Sequence, residues 1–182
     1  PVHFPTKADD NIAVNLVMNS EPYYVRSTDS IRSVAQILAS NKTSGVPIVD
    51  SKNKVVGFVS DGDIMKYIGR NDAAILDGSL MLYRVPDDQS FVGRVAELLD
   101  LNVMRIATKN VISVDSGSEL DEACHLLAEK RIKKAPVVDE KGILIGSLSR
   151  SDIIRSTMAN LASIEAMAAA EKLEKRSQSC GL

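Results

Sequence analysis

One pattern is written twice along this chain. The stretch from Gly45-Val-Pro-Ile-Val-Asp50 to Gly57-Phe-Val-Ser-Asp-Gly-Asp-Ile64 returns as Lys134-Ala-Pro-Val-Val-Asp139 to Gly146-Ser-Leu-Ser-Arg-Ser-Asp-Ile153. The offset is constant at 89, as the pairs 47/136, 57/146 and 63/152 show. Eight of the twenty aligned positions are identical (47/136, 49/138, 50/139, 52/141, 57/146, 60/149, 63/152 and 64/153), and five of the other twelve exchange one apolar residue for another. A repeat of this kind constrains the fold before any local propensity does. Each copy is too short to bury a core comfortably alone, so the two are expected to pack as a pseudo-symmetric pair with clefts across a shared interface.

Composition narrows the class. The 182 residues are 45% hydrophobic but only 4% aromatic, with no Trp, so the core must come from aliphatic residues, as in an α/β protein. A net charge of −2 and a pI near 5.7 argue against nucleic acid as the main partner. Cys124 and Cys180 have neither metal-like nor disulfide-like spacing, which points to a reducing, cytoplasmic setting. No run is long enough for a membrane span, and no signal peptide is visible. The chain opens at Pro1 without Met and is expected to be a piece of something larger.

Each copy reads strand, helix, strand, strand, helix. The first strand is Tyr23–Arg26 or Val111–Val114, followed by a polar segment, Ser27–Ser30 or Asp115–Ser118, expected to cap a helix; Ser118 with Asp121 fits a capping box. The helix carries Ile31, Val34, Ala35 and Leu38, matched by Leu120, Ala123, Cys124 and Leu127, at i, i+3, i+4, i+7. A hairpin follows, its strands joined by Asp50–Asn53 or Asp139–Gly142. The predicted organisation is an N-terminal segment (1–14), a first repeat (15–69), a connector with a short helix (70–100), a second repeat (101–157), and a C-terminal helix and tail (158–182). Within the connector, Arg70 to Asp88 reads as irregular, with Gly78 and Pro86 as breakers. Leu161, Ile164, Met167 and Ala168 fit a terminal helix that docks on the module or on a second copy.

Val17-Met18 and Val103-Met104, the Val-Pro-Ile-Val-Asp and Ala-Pro-Val-Val-Asp segments, and the closing Gly-x-x-Ser-x-x-Asp-Ile together resemble tandem cystathionine β-synthase (CBS) domains, from about Asn15 to Thr157. The resemblance implies an α+β fold of two pseudo-symmetric repeats, each a small, mostly antiparallel sheet with two helices, packed as one module and often dimerised as a disc. It also implies a regulatory module that binds an adenosine nucleotide (AMP, ADP, ATP or a related compound) between the repeats. The signal would pass to a regulated partner or fused domain. Asp63 and Asp152 would accept from ribose hydroxyls, and Ser60, Ser149 and Ser151 would face phosphate or ribose. Val46, Pro47, Ala135 and Pro136 would line the adenine slot, with Lys133 and Lys134 placed to hold phosphate.

The copies differ, since Ser44 and Gly45 stand where the second has Lys133 and Lys134, and Gly62 where it has Ser151. Unequal sites are expected, the tighter one containing Asp152. A second reading is a ligand-free dimerisation scaffold, because an Asp three residues after Ser also caps a helix, and Lys130–Lys134 also suits a solvated helix end. Catalysis has little support. His3 and His125 lie far apart, and there is no paired-carboxylate site, Gly-rich phosphate loop or metal-ligand cluster, so neither a catalytic residue nor a covalent cofactor is expected.

Overall fold

The computed structural model describes residues 12–70, 74–78, 81–85 and 90–179. His3, most of the N-terminal segment, Pro86 and the last residues of the tail lie outside them. The chain forms two compact units, Tyr23–Val111 and a second that joins the chain before Tyr23 to the chain from Ile112 onward.

In the first unit the order is β1 (Val25–Arg26), α1 (Ile31–Asn41), β2 (Gly45–Val49), β3 (Val55–Ser60), α2 (Asp61–Ile68), β4 (Ala74–Gly78), β5 (Met81–Val85), α3 (Phe91–Asp100) and a 3-10 turn, Val103–Arg105. The second unit contains a 3-10 turn at Val14–Leu16, β6 (Val114–Asp115), α4 (Leu120–Glu129), β7 (Lys134–Val138), β8 (Leu144–Ser149), α5 (Arg150–Ala159) and α6 (Leu161–Ser179). Both copies are α+β, as expected.

The sheets match pair for pair. β1 runs parallel to β2 and β2 antiparallel to β3, with Pro47 opposite Phe58 and Gly45 opposite Ser60. β6, β7 and β8 repeat this, with Pro136 opposite Ser147 and Lys134 opposite Ser149. Even the irregularity recurs, since the register shifts after Ile48 in one hairpin and after Val137 in the other. The hairpin turns each need one residue at positive φ, met by Asn53 (60°) and Gly142 (76°), the two residue types that tolerate it best.

The cores are aliphatic. Ile31, Val34, Val46, Ile48 and Val59 are sealed in the first unit, and Ala123, Leu127, Ala135, Val137 and Leu148 in the second. The segment that leads into each repeat packs into the core of the other one. Val14 and Val17 belong to the core built on β7 and β8, whereas Val103 and Leu98 belong to the core built on β2 and β3. Backbone pairing follows the same exchange. Asn19 and Ser147 trade N–H···O bonds at 2.9 Å in both directions, as do Thr108 and Phe58.

That exchange also settles how α1 and α4 begin. Neither Ser30 nor Glu119, their N-cap residues, makes a side-chain cap, and the Ser118–Asp121 box does not form. The first helical N–H is instead taken by a backbone carbonyl of the lead-in segment, Ile31 by Leu101 at 2.9 Å and Leu120 by Ile12 at 2.7 Å. The expected polar caps act as turns, with Asp29 Oδ2 accepting from Arg26 N–H and Asp115 Oδ1 from Gly117 N–H. Residues 74–85, read as irregular, contain a second departure, because β4 and β5 pair there as an antiparallel hairpin with Gly78 opposite Met81. Gly78 is the last residue of β4 and does not break a loop.

Candidate ligand site

Each hairpin delivers its last residue, a Ser, as the N-cap of the next helix. Ser60 Oγ accepts from Asp63 N–H at 3.2 Å, and Asp63 Oδ2 accepts from Ser60 N–H at 2.8 Å and from the Ser60 hydroxyl at 2.7 Å. Ser149 and Asp152 repeat the box, with Asp152 Oδ2 at 2.9 Å from Ser149 N and 2.5 Å from its Oγ. Capping is therefore realised in both copies, and it occupies one carboxylate oxygen of each Asp. Oδ1 remains. Asp152 Oδ1 accepts from Arg155 at 3.1 Å, while Asp63 Oδ1 has no hydrogen bond among the described residues. Ser151, exposed, lies with its Oγ 2.9 Å from Ser149 Oγ.

Around these boxes the expected residues divide by strand alternation. Val46 and Ala135 are wholly buried members of the aliphatic cores, so their side chains are not available to line a slot. Pro47 and Pro136 stand on the opposite face of their sheets, in line with Gly45 and Ser60 or with Lys134 and Ser149. Lys134 is half-buried on that face; burial pushes its amine pKa down, and the neighbouring Asp152 carboxylate pulls it back up. Lys133 is exposed, and its carbonyl accepts from Arg150 N–H at 3.1 Å. Lys134 joins the Ser149–Asp152 box, and Lys133 does so through its backbone.

Two residues on this face escaped the sequence reading. Phe58 lies over Gly45, where a Cβ would come within 2.6 Å of its Cε1. At the matching position Ser147 is 1% exposed, and its hydroxyl has no hydrogen-bond partner among the described residues. The signal was a paired exchange, Gly45 with Phe58 against Lys134 with Ser147, which acquires meaning only from the strand register.

A groove of about 640 Å³ opens elsewhere, between α4 and α5, lined by Cys124, Leu127, Ala128, Arg131, Arg150, Ile153 and Ile154. It holds none of the expected site residues. Burial, with help from Asp121, pushes the Cys124 thiol above its usual range. His125 is exposed beside Asp121 at 3.7 Å. Among the described residues no His, Cys, Asp and Glu cluster could hold a metal, and no helix is long and apolar enough to cross a membrane.

The duplicated strand–cap–helix junction has a counterpart in known proteins, since the family model of the CBS domain matches residues 13–70 and again 103–158. The chain belongs to the CBS domain family. An uncharacterized protein of Methanocaldococcus jannaschii is 29% identical over 144 residues, covering 75% of this chain and 86% of its own length. The inosine-5'-monophosphate dehydrogenase of Nitrosopumilus maritimus is 30% identical over 141 residues, 78% of this chain but 23% of the enzyme. The chloroplastic CBS domain-containing protein CBSX1 of Arabidopsis thaliana is 26% identical over 140 residues, and the match covers 75% of this chain and 59% of that protein. Among solved structures, CBSX2 in complex with AMP superposes with a TM-score of 0.61 at 23% identity, covering 81% of this chain and 96% of that one. The CBS domain pair of protein MJ0100, in complex with 5'-methylthioadenosine and S-adenosyl-L-methionine, gives 0.59 at 21%, over 82% and 98%. These CBS pairs share the fold described above.

Proposed function

We propose that this CBS pair is a non-catalytic regulatory sensor of an adenosine-containing ligand. The observation that carries the reading is the Ser–Asp box at the end of β8, set beside the half-buried Lys134 on one sheet face. It offers a carboxylate and hydroxyls to a ribose and an ammonium to a phosphate. Related CBS pairs are described in complex with AMP and with S-adenosyl-L-methionine, which supports adenosine as the common element. Binding would regulate a partner, a fused domain or a second copy only through different affinity for two conformations. The candidate output element is α6, whose hydrogen exchange should change in ligand-saturated protein; identical protection with and without ligand would remove it from that role.

A second reading, a ligand-free scaffold, is favoured by the closed capping boxes, because each Asp already has a structural use. A thermal-shift panel of adenosine compounds with guanosine controls separates the two, run on the parent and on Asp152→Ala. Ligand at a hundred times its Kd adds about 2.7 kcal/mol. The sensor reading expects an adenosine-specific rise that the variant loses. Under the scaffold reading no compound shifts the parent, and the variant loses only the cap, about 1 kcal/mol.

A further inference from the structure

The two Ser–Asp boxes are alike, but their surroundings differ in charge and in volume. The first three N–H groups of α2 all have acceptors within the chain. Asp61 N–H donates to the Ser44 carbonyl at 2.9 Å, Gly62 N–H to Asp61 Oδ1 at 2.7 Å, and Asp63 N–H to Ser60 Oγ at 3.2 Å. A carboxylate of the chain thus already sits where an incoming anion would meet the helix start. At the start of α5 the matching residue is Arg150, which has no acceptor, so the Ser151 N–H lacks that internal partner. The Arg150 guanidinium reaches back to the Ile132 and Leu127 carbonyls at 2.9 and 3.0 Å.

The sheet face differs in the same sense. Beside Ser60, the Phe58 ring fills the space over Gly45, so closely that Gly45 has no room for a side chain. Beside Ser149 the same two places carry Lys134 and Ser147, a cation and a hydroxyl. The Ser147 hydroxyl is buried and has no partner among the described residues, a costly arrangement that a ligand oxygen or nitrogen would relieve.

We propose that phosphorylated nucleotide binds one per chain, at the Ser149–Asp152 site alone. Ser147 is a ligand contact there, while Phe58 and Asp61 close the Ser60–Asp63 site to anions. This rests on the adenosine reading and adds to it the charge class and the stoichiometry. Phe58 acts by volume and Asp61 by charge, so each contributes separately.

Isothermal titration with AMP, and with adenosine and S-adenosylmethionine as less anionic probes, tests it. The parent should bind one AMP. Ser147→Ala should weaken AMP at least fivefold while raising the melting temperature of the ligand-free protein, because it deletes an unsatisfied buried hydroxyl. A purely structural serine would shift the melting temperature and leave affinity unchanged. Phe58→Ser with Asp61→Arg should create a second AMP equivalent; if that pair fails to fold, Phe58→Leu with Asp61→Ala should admit a weak second equivalent. Two equal AMP sites in the parent, or unchanged affinity in Ser147→Ala, would overturn the proposal and leave the adenosine reading standing. Absence of binding by all three probes would overturn both.

Discussion

Lys42 and Arg131 close α1 and α4 at equivalent places with φ of 48° and 54°, the left-handed region that a side chain disfavours. Glycine there removes the strain, so Lys42→Gly and Arg131→Gly should each stabilise by about 0.5–1 kcal/mol in urea unfolding. A loss of stability in both would show that the basic side chains contribute more than the strain costs. The reverse holds at Gly45, where Ala would strike the Phe58 ring at 2.6 Å and approach the Val59 carbonyl at 3.0 Å. Gly45→Ala is expected to cost roughly 1–3 kcal/mol, and Phe58→Leu should recover part of it in a double-mutant cycle. Asp50 carries the clearest acid sensitivity among the turn residues. The Lys54 N–H at 2.9 Å is the main cause that holds its pKa below the ordinary 3.8; desolvation opposes it, and the Lys52 N–H at 2.8 Å adds to the lowering. The folded pKa is depressed, so the turn's contribution is present above pH 3.8 and lost as pH falls through the folded value. Asp50→Asn should flatten that part of an acid-unfolding curve.

Helix starts come in two kinds, and substitutions should tell them apart. The boxes at Ser60 and Ser149 satisfy the N–H of N3 and the cap's own N–H from side chains. Ser149→Ala should therefore cost about 1 kcal/mol. Ser30 makes no such bond, because the Leu101 carbonyl does the work, and Ser30→Ala should stay within about 0.5 kcal/mol. Equal losses at the two serines would contradict this assignment. The α3 helix, read in sequence as part of a connector, is tied into the first unit by Tyr67 OH to Glu97 at 2.9 Å and by Arg94 Nε to the Ile68 carbonyl at 2.9 Å. Burial, then the Glu97 hydrogen bond, raises the Tyr67 pKa.

For the whole molecule, the unit that repeats in sequence is not the unit that packs. Val14 and Val103 are both completely buried, each in the core of the repeat it does not precede. Val103→Ala should therefore destabilise the unit 23–111, and Val14→Ala the unit built on β6–β8, each by roughly 2 kcal/mol. A fragment spanning 23–111 retains β1–β3 with Leu98, Val103 and Thr108, and should fold; one cut at the sequence repeat, 15–69, loses those partners and should not. Circular dichroism and amide dispersion of the two fragments decide it. A folded 15–69 would mean that the exchanged segment is dispensable.

Periodicity and duplication determined a good deal unaided. The α1 and α4 stripes, the two hairpins with their turn segments, and the Ser–Asp pairs follow from local rules, and a constant offset of 89 carries each from one copy to the other. The exchange of lead-in segments was not legible, because Val14-to-Val17 and Val103-to-Ile106 look the same whichever core receives them. Nor was the side on which Val46 and Ala135 fall, since a strand buried on both faces shows no alternation. The β4–β5 hairpin was hidden by its polar flanks and by Gly78, which marks a turn as readily as a break. Only register placed Phe58 over Gly45 and put Ser147 on the same sheet face as Lys134. Contacts between strands depend on which residues come opposite each other, and that is decided when the sheet forms.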